Sequence, residues 1–155
     1  MRMQSCEKGG RLYRTLRRSL CLKIVVLLSL APVARGASLI VSVEDVRAGT
    51  GAVRVAIYSD ADSFRHEERA VQVLSAPANS DVISVVFHGL KSGPYAVVAY
   101  HDANNNKKLD LFLGFLPQEG WGLSNNPKIV VRPLFSASVI DVAEPTTSTL
   151  IWLHY

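Results

Sequence analysis

Apolar residues recur at every second position along several short stretches of this chain, first in residues 39–43 and again in residues 53–58. Successive side chains of a β-strand point to opposite faces, so this alternation predicts strands with one buried face. The predicted strands, about seven in number, lie near residues 39–43, 53–58, 71–77, 83–88, 95–101, 136–142 and 149–155. Between the second and third strands, Asp60 or Asp62 is expected to cap one helical turn that places Phe64 on the core.

The spacing of the strands and of the turn residues between them predicts an all-β fold, an antiparallel two-sheet sandwich. Its core is expected to contain the inward-facing residues Val41, Val53, Val55, Ile57, Val85, Phe87, Val97 and Ile151.

One connection, at residues 102–126, is much longer than the others. Loops longer than about 12–15 residues are usually functional or disordered. This loop contains Phe112, Leu113, Phe115 and Leu116 and is too apolar for disorder, so it is the predicted working surface.

Charge divides the chain into two parts. Residues 1–36 carry eight basic residues and one acidic residue, whereas the rest carries nine basic and twelve acidic residues. The net charge of +4 therefore belongs to the N-terminal segment, and nucleic-acid binding by the remainder is not expected. Both cysteines, Cys6 and Cys21, also lie in that segment, so disulfides and thiolate metal sites are excluded from the body of the chain.

The N-terminal segment has the order of regions found in secretory signal peptides. Residues 11–23 are basic, residues 24–34 are almost wholly apolar, and small residues follow at Ala34 and Gly36. A membrane anchor is the alternative, but a span needs roughly 20 apolar residues, and this stretch is shorter and begins beside Lys23. We therefore predict a signal peptide at 1–36 and a β-sandwich domain at 37–155. The mature domain should have no transmembrane span and should be periplasmic or extracellular.

Oxygen-bearing side chains follow the predicted strand 95–101 at positions 1, 3, 5 and 9 of a calcium-binding loop: Asp102, Asn104, Asn106 and Asp110. Lys107 stands where such loops have a glycine, and Leu113 stands where they have a bidentate glutamate. Glu119 or Asn125 is then needed to complete the shell. The pattern predicts a weak calcium site, with affinity on the order of 10⁻⁴–10⁻³ M; an Asn-rich structural turn is the alternative.

Three other residues of the loop region are candidates for ligand or partner binding: His101, Glu119 and Trp121. His101 and Asp102, with Ser124 downstream, have the residue types of a hydrolytic triad, but no nucleophile-elbow motif surrounds Ser124. A histidine at a strand end more commonly holds a loop carbonyl. Trp121 lies between two glycines and either stacks on a sugar ring or partner, or forms a hydrophobic plug with Phe115, Leu116 and Leu123.

The same region resembles a known bacterial family. The residues that carry the resemblance are His101-Asp102, Asn104, Asn106, Leu109-Asp110, Gly114–Pro117, Glu119-Gly120-Trp121-Gly122 and Ser124-Asn125-Asn126. In this order they are similar to the family called domain of unknown function 2141. The resemblance covers about Ser38 to Tyr155 and implies an exported domain with a transthyretin-like or immunoglobulin-like sandwich, without implying an activity. Two features depart from the family pattern: Lys107 replaces a usual glycine, and the Gly114–Pro117 stretch is one residue longer.

These observations favour a non-enzymatic binding or interaction module that uses the loop at 102–126 to bind a protein, a small molecule or a sugar. One alternative is a small periplasmic hydrolase that uses His101, Asp102 and Glu119. Another is a purely structural protein of the cell envelope.

Overall fold

Ten strands and two short helical turns make up the part of the chain that the structure describes, a computed structural model covering residues 36–128 and 132–155. The predicted signal peptide therefore lies outside the described residues, apart from Gly36. The strands are β1 Ala37–Glu44, β2 Ala52–Tyr58, β3 Gln72–Pro77, β4 Ile83–Leu90, β5 Gly93–Asp102, β6 Leu111–Phe112, β7 Leu116–Pro117, β8 Trp121–Leu123, β9 Val139–Val142 and β10 Thr146–Trp152. The helical turns are a 3-10 turn at Glu67–Arg69 and α1 at Phe135–Ser138. The all-β prediction is confirmed, and the three strands beyond the predicted seven lie inside the long loop.

The strands form a three-stranded sheet in the order β10-β1-β4 and a five-stranded sheet in the order β3-β2-β5-β8. β9 also pairs with β5, at residues 93–96, while β8 pairs with residues 98–100 of the same strand. β6 and β7 form a separate hairpin. The prediction of purely antiparallel pairing is wrong for β1 and β10, which run parallel. Alternation along a strand identifies its buried face but not the direction of the neighbouring strand. Side chains alternate with a period of two in parallel and in antiparallel sheets alike.

One hydrophobic cluster contains side chains of both large sheets. All eight predicted core residues belong to it, and each is at most 8% exposed. The alternation is clearest in β1 and β4, where every second residue is buried over most of the strand. The predicted strand phases are therefore confirmed.

A second hydrophobic cluster covers the opposite face of the five-stranded sheet. Tyr58 contacts Phe64 edge to face at a centroid distance of 5.6 Å, and Phe64 contacts Phe135 in the same way at 5.7 Å. Asp60 caps the turn before Phe64, because its Oδ1 accepts a hydrogen bond from the Ser63 amide at 2.8 Å. The prediction of a capped turn holds, but Phe64 packs in this second cluster and not between the sheets.

The predicted strand 136–142 is wrong in its first half, where α1 occupies Phe135–Ser138 and β9 begins only at Val139. The Ser138 hydroxyl donates to the Leu134 carbonyl at 3.1 Å, and Phe135 turns onto the second cluster. Burial of this one aromatic ring outweighs the weak strand preference of the segment.

Among the described residues, no helix has both the length and the apolar composition needed to cross a membrane.

Candidate functional site

Two buried carboxylates organise the loop that follows β5. Asp102 Oδ1 accepts a hydrogen bond from the Asn106 amide at 2.9 Å, and its Oδ2 accepts one from the Lys107 amide at 2.8 Å. Glu119 Oε1 accepts from the Ala103 amide at 2.8 Å, and its Oε2 from the Asp110 amide at 3.1 Å. Backbone amides stabilise buried carboxylates without a counter-ion, so these contacts fold the loop back onto the end of β5.

Three of the four predicted cation ligands contact one another through their side chains. Asn104 Nδ2 donates to Asp110 Oδ2 at 2.7 Å, and Asn106 Nδ2 donates to Asp110 Oδ1 at 2.9 Å. The amide oxygens accept backbone hydrogen bonds, Asn104 Oδ1 from Asn106 at 3.0 Å and Asn106 Oδ1 from Lys108 at 2.8 Å. In residues 36–128 and 132–155, no three His, Cys, Asp or Glu side chains are grouped for metal binding. A cation here would have to displace two amide groups from Asp110.

The backbone of the same loop nevertheless has a feature of calcium loops. Lys107, at the position where such loops have a glycine, has a φ of 63°. A left-handed conformation costs a lysine roughly 1 kcal/mol. Asn105 also has a positive φ, of 59°, so the turn is compatible both with a calcium loop and with an Asn-rich structural turn.

His101 is buried and has a partner on each ring nitrogen. Its Nε2 lies 2.8 Å from the Thr50 carbonyl oxygen, and its Nδ1 lies 3.0 Å from the Tyr155 hydroxyl. The side chains of His101, Asp102 and Glu119, which the hydrolase alternative would use, all hold loops in place through these hydrogen bonds. His101 therefore acts as a latch on the Thr50 turn and the C-terminal residue.

Ser124, Asn125 and Asn126 connect the long loop to three other elements. The buried Ser124 hydroxyl accepts a hydrogen bond from the Val97 amide at 2.9 Å, and it also contacts the Ser138 carbonyl oxygen. Asn125 donates to the Val139 carbonyl at 2.6 Å. Asn126 Nδ2 donates to the Leu150 carbonyl at 3.0 Å, and its Oδ1 accepts from the Trp152 amide at 2.9 Å. The side chain thus forms the hydrogen bonds to β10 that the backbone of a neighbouring strand would form. The hydroxyl of Ser124 is therefore used in the fold.

The β6–β7 hairpin projects five large apolar side chains into solvent. Their exposed fractions are Leu111 44%, Phe112 53%, Leu113 71%, Phe115 66% and Leu116 49%. Phe115 and Leu116, two of the residues expected to surround a Trp121 plug, are therefore largely open to solvent. Leu123, by contrast, is buried, and Trp121 is half-buried against the second cluster. The short strand pairing fixes the hairpin's shape, but its side chains have no second layer to pack against.

A groove of about 820 Å³ lies between this hairpin and the outer face of the five-stranded sheet. Its floor consists of Ala56, Tyr58, Val98, Tyr100, Trp121 and Leu123. Leu111, Phe115 and Pro117 form the wall on the hairpin side, and the turn at residues 65–68 forms part of the opposite side. Of the predicted binding residues, Trp121 lines this groove, whereas the lining does not include His101 or Glu119. The volume is that of an ordinary small-molecule site, for which about 300–1,000 Å³ is typical.

A polar network lies at one side of the groove floor. Arg54 Nε donates to the Tyr100 hydroxyl at 2.9 Å, and the Arg54 guanidinium forms an ion pair with Glu67. The Tyr100 hydroxyl in turn donates to Glu67 Oε2 at 2.9 Å. Burial raises the pKa of the Tyr100 hydroxyl, and the hydrogen bond to Glu67 raises it further. Tyr100 is therefore a neutral donor at physiological pH, and Glu67 is already neutralised by Arg54.

Basic side chains predominate around the groove. Arg65, Lys107, Lys108 and Arg132 line it and are all exposed. The acidic lining residues are Glu67, which pairs with Arg54, and the exposed Glu68. The groove therefore has an apolar floor, and the charged residues that line it carry a net positive charge.

Sequence reasoning missed Tyr58, Val98 and Tyr100 as site residues, although β2 and β5 carry a signal for them. From Tyr95 to Asp102 every residue of β5 is buried, and the last four residues of β2 are also all buried. Such strands are apolar on both faces, which indicates that something covers the sheet on each side. The lost alternation near residues 96–100 was the available evidence for a second surface.

The fold and site thus define a β-rich domain with an apolar groove next to a hydrogen-bonded loop. Residues 41–149 match the model of a bacterial family of uncharacterised conserved proteins, domain of unknown function 2141, and the chain belongs to that family. The resemblance based on the loop residues is confirmed. No curated protein and no solved structure matches the chain significantly.

Proposed function

We propose that this protein is a binding module whose groove holds a small anionic amphiphile, a molecule with an elongated apolar body and one acidic group. The observation that carries the proposal is the combination of an apolar floor with exposed basic residues around it. The loop at 102–126 supplies the hairpin wall, the two lysines and Trp121, which supports its role as the working surface of this module.

The apolar body of the ligand is expected to lie between Trp121 and the hairpin wall. Phe115 and Leu111 are the apolar residues of the groove lining with the most surface open to solvent. The half-buried Trp121 lies opposite them. Covering apolar surface contributes about 25 cal/mol per Å². The deeper floor residues are already shielded, so most of the binding energy should come from these three side chains.

The acidic group is expected to lie near Lys107 and Lys108. Both lysines are exposed and line the groove, whereas the half-buried Asp110 does not line it. An anion is preferred over a cation for the further reason that Glu67 is paired with Arg54. Surface ion pairs of this kind are worth up to about 1 kcal/mol each, enough to distinguish a carboxylate from a neutral head group.

Dodecanoate is a suitable probe, followed by tryptophan fluorescence. In a Trp152→Phe background, Trp121 is the remaining tryptophan of the chain, which has two. Dodecanoate should change its emission with saturation, and dodecanol should bind roughly threefold to tenfold more weakly. Phe115→Ser should weaken binding of both molecules by about tenfold, because it removes apolar contact area.

Charge reversal provides the matched control. Lys107→Glu with Lys108→Glu should remove the preference for dodecanoate over dodecanol, whereas Lys91→Glu, in a turn outside the groove, should leave it unchanged. Equal affinity of the wild type for the acid and the alcohol would contradict the anionic part of the proposal. Absence of saturable binding by either would contradict the groove as a ligand site.

Weak calcium binding at Asp102, Asn104, Asn106 and Asp110 is our second proposal, supported by the left-handed turn at Lys107. A ligand at ten times its Kd adds about 1.4 kcal/mol to stability, which raises the melting temperature by about 5 °C for a domain of this size. Asp110→Ala should abolish the shift, while Asp62→Ala, in an exposed turn, should not. Lys107→Gly should strengthen binding, because it relieves the turn and removes a positive charge. An unchanged melting temperature in 10 mM calcium would leave the loop as an Asn-rich structural turn.

We further infer that the domain works outside the cytoplasm, in the periplasm or extracellularly, from the order of regions in residues 1–36. Mass spectrometry of the protein recovered from cells should find an N-terminus near Ala37.

We also infer that the two large sheets pack as an immunoglobulin-like or transthyretin-like sandwich. Support for this comes from the single cluster to which both sheets contribute, and an experimental structure would test it.

A further inference from the structure

The groove accounts for only one face of the β6–β7 hairpin. Leu111, Phe115 and Pro117 line the groove, but Phe112, Leu113 and Leu116 do not. Phe112 and Leu116 are cross-strand partners, so their side chains share a face of the hairpin. Together with Leu113 at the tip they form an apolar surface directed away from the groove, which we call the outer hairpin face.

The tip of the hairpin carries a residue that its backbone does not favour. The Phe115 amide donates to the Phe112 carbonyl at 3.3 Å, and the two residues between them, Leu113 and Gly114, have φ values of 53° and 79°. Two consecutive left-handed residues at the centre of a β-turn favour Asn-Gly. Gly114 meets this demand, but a leucine at the first position costs roughly 1 kcal/mol in backbone strain.

Leu113 is also the most exposed of the large apolar residues described, at 71%. Its position is therefore unfavourable twice, once in backbone conformation and once in solvation. Asparagine would remove both costs in water, so water is not the environment that suits this residue. An apolar environment that receives the tip would offset both costs.

The charges at the base of the hairpin indicate which apolar environment this is. Lys107 and Lys108 are exposed and lie a few residues before β6. Of the acids that flank the hairpin, Glu119 is buried and Asp110 is half-buried, so the two exposed lysines dominate the charge presented to solvent there. An apolar tip above a basic base complements a bilayer surface, which has acyl chains beneath anionic head groups.

The dimensions of the hairpin agree with such an environment. Strand residues advance about 3.3 Å each, so the arm from Leu111 to the tip reaches roughly 10 Å. Interfacial segments bury their apolar face about 5–10 Å into the boundary between head groups and acyl chains. The tip can therefore enter that boundary while the sheets stay in water.

We propose that the outer hairpin face, Phe112, Leu113 and Leu116, inserts into the surface of an anionic lipid bilayer, with Lys107 and Lys108 contacting the head groups. This goes beyond the ligand groove, since it uses the other face of the hairpin, shares only Lys107 and Lys108 with the groove and requires no bound amphiphile. Attachment by one short hairpin and two lysines is reversible.

Co-sedimentation with vesicles tests the proposal. The purified protein should sediment with mixed phosphatidylglycerol–phosphatidylcholine vesicles and much less with pure phosphatidylcholine, and added salt should weaken the binding. Phe112→Ser with Leu113→Ser should weaken it by roughly tenfold or more. The matched control is Val82→Ser with Val86→Ser. It removes two exposed apolar side chains that lie away from the hairpin, with exposed fractions of 44% and 39%.

Leu113→Asn separates a membrane role from a structural one. It should raise the melting temperature, because asparagine suits the left-handed turn, and at the same time reduce vesicle binding. Dodecanoate binding should stay unchanged in this variant, because Leu113 does not line the groove, so failure of this proposal is distinguishable from failure of the groove proposal.

Three results would overturn the membrane proposal. One is equal sedimentation with anionic and zwitterionic vesicles, and another is full binding by the Phe112→Ser, Leu113→Ser protein. The third is a protein that self-associates without lipid through the same two residues, shown by a wild-type dimer and a monomeric variant in analytical ultracentrifugation. That result would make a second copy of the chain the partner of the outer hairpin face.

Discussion

Val55→Asp should abolish folding of this protein. Val55 lies in the middle of β2, pairs with Leu74 on one side and Ala99 on the other, and is fully buried in the cluster shared by both large sheets. An ionised carboxylate at this position has no partner and costs several kcal/mol. Domains of this size have about 5–15 kcal/mol of stability in total. The expected result is an insoluble protein, or one without a cooperative thermal transition in circular dichroism.

Two matched variants identify the cause. Val55→Ala should melt cooperatively with a loss of about 2 kcal/mol, because it removes methyl groups without burying a charge. Val86→Asp introduces the same carboxylate on the exposed face of β4, next to the buried Val85, and should fold normally. A soluble, cooperatively melting Val55→Asp protein would show that the strand phase is wrong.

Gly122→Ala should also be strongly destabilising, for a steric reason. A Cβ atom at Gly122 would overlap the Trp152 carbonyl oxygen and lie 2.6 Å from Ile151 Cγ2. The carbonyl belongs to the backbone of β10, so it cannot move without separating β8 from the C-terminal strand. Overpacking of this kind costs about 3 kcal/mol or more. Urea denaturation should give a correspondingly lower midpoint.

Gly49→Ala is the control for the loss of a glycine as such. Gly49 has a φ of 120°, but no atom lies within 4 Å of a Cβ built there. That substitution should cost only the strain of a side chain at positive φ, about 1–2 kcal/mol. Similar losses in the two variants would contradict the steric clash with Trp152, because Gly122, unlike Gly49, has no positive φ.

The strands with one clear polar face were the predictable part of the fold. Val41, Val85 and Phe87 alternate with more polar or exposed positions, and the structure buries all three. The helical turn α1 was not predictable in this way, because Phe135 is drawn to a cluster built by Phe64 and Tyr58. Those contacts join residues far apart in the chain, and no local pattern of residues 135–138 records them.

The candidate site also has one part that the sequence predicted and one part that it did not. The acidic and amide residues from Asp102 to Asp110 were recognised by their spacing, and their mutual contacts confirm that they form one structural unit. The groove was not recognised, because its floor comes from β2, β5 and β8, which lie side by side only in the folded sheet. One alternative placed Phe115 in a plug around Trp121, yet Phe115 is 66% exposed, since hydrophobicity alone does not say whether a partner surface exists.

The sequence by itself determined the all-β class, the inward face of the main strands, the family and the position of the long loop. Each of these depends on residue order within a short stretch, because side-chain alternation and loop-forming residues act locally. The tertiary structure decided the parallel pairing of β1 with β10, the groove between sheet and hairpin, and the separation of the hairpin into a groove face and an outer face. These depend on which distant segments meet, and that is settled by the shared burial of apolar surface across the whole domain.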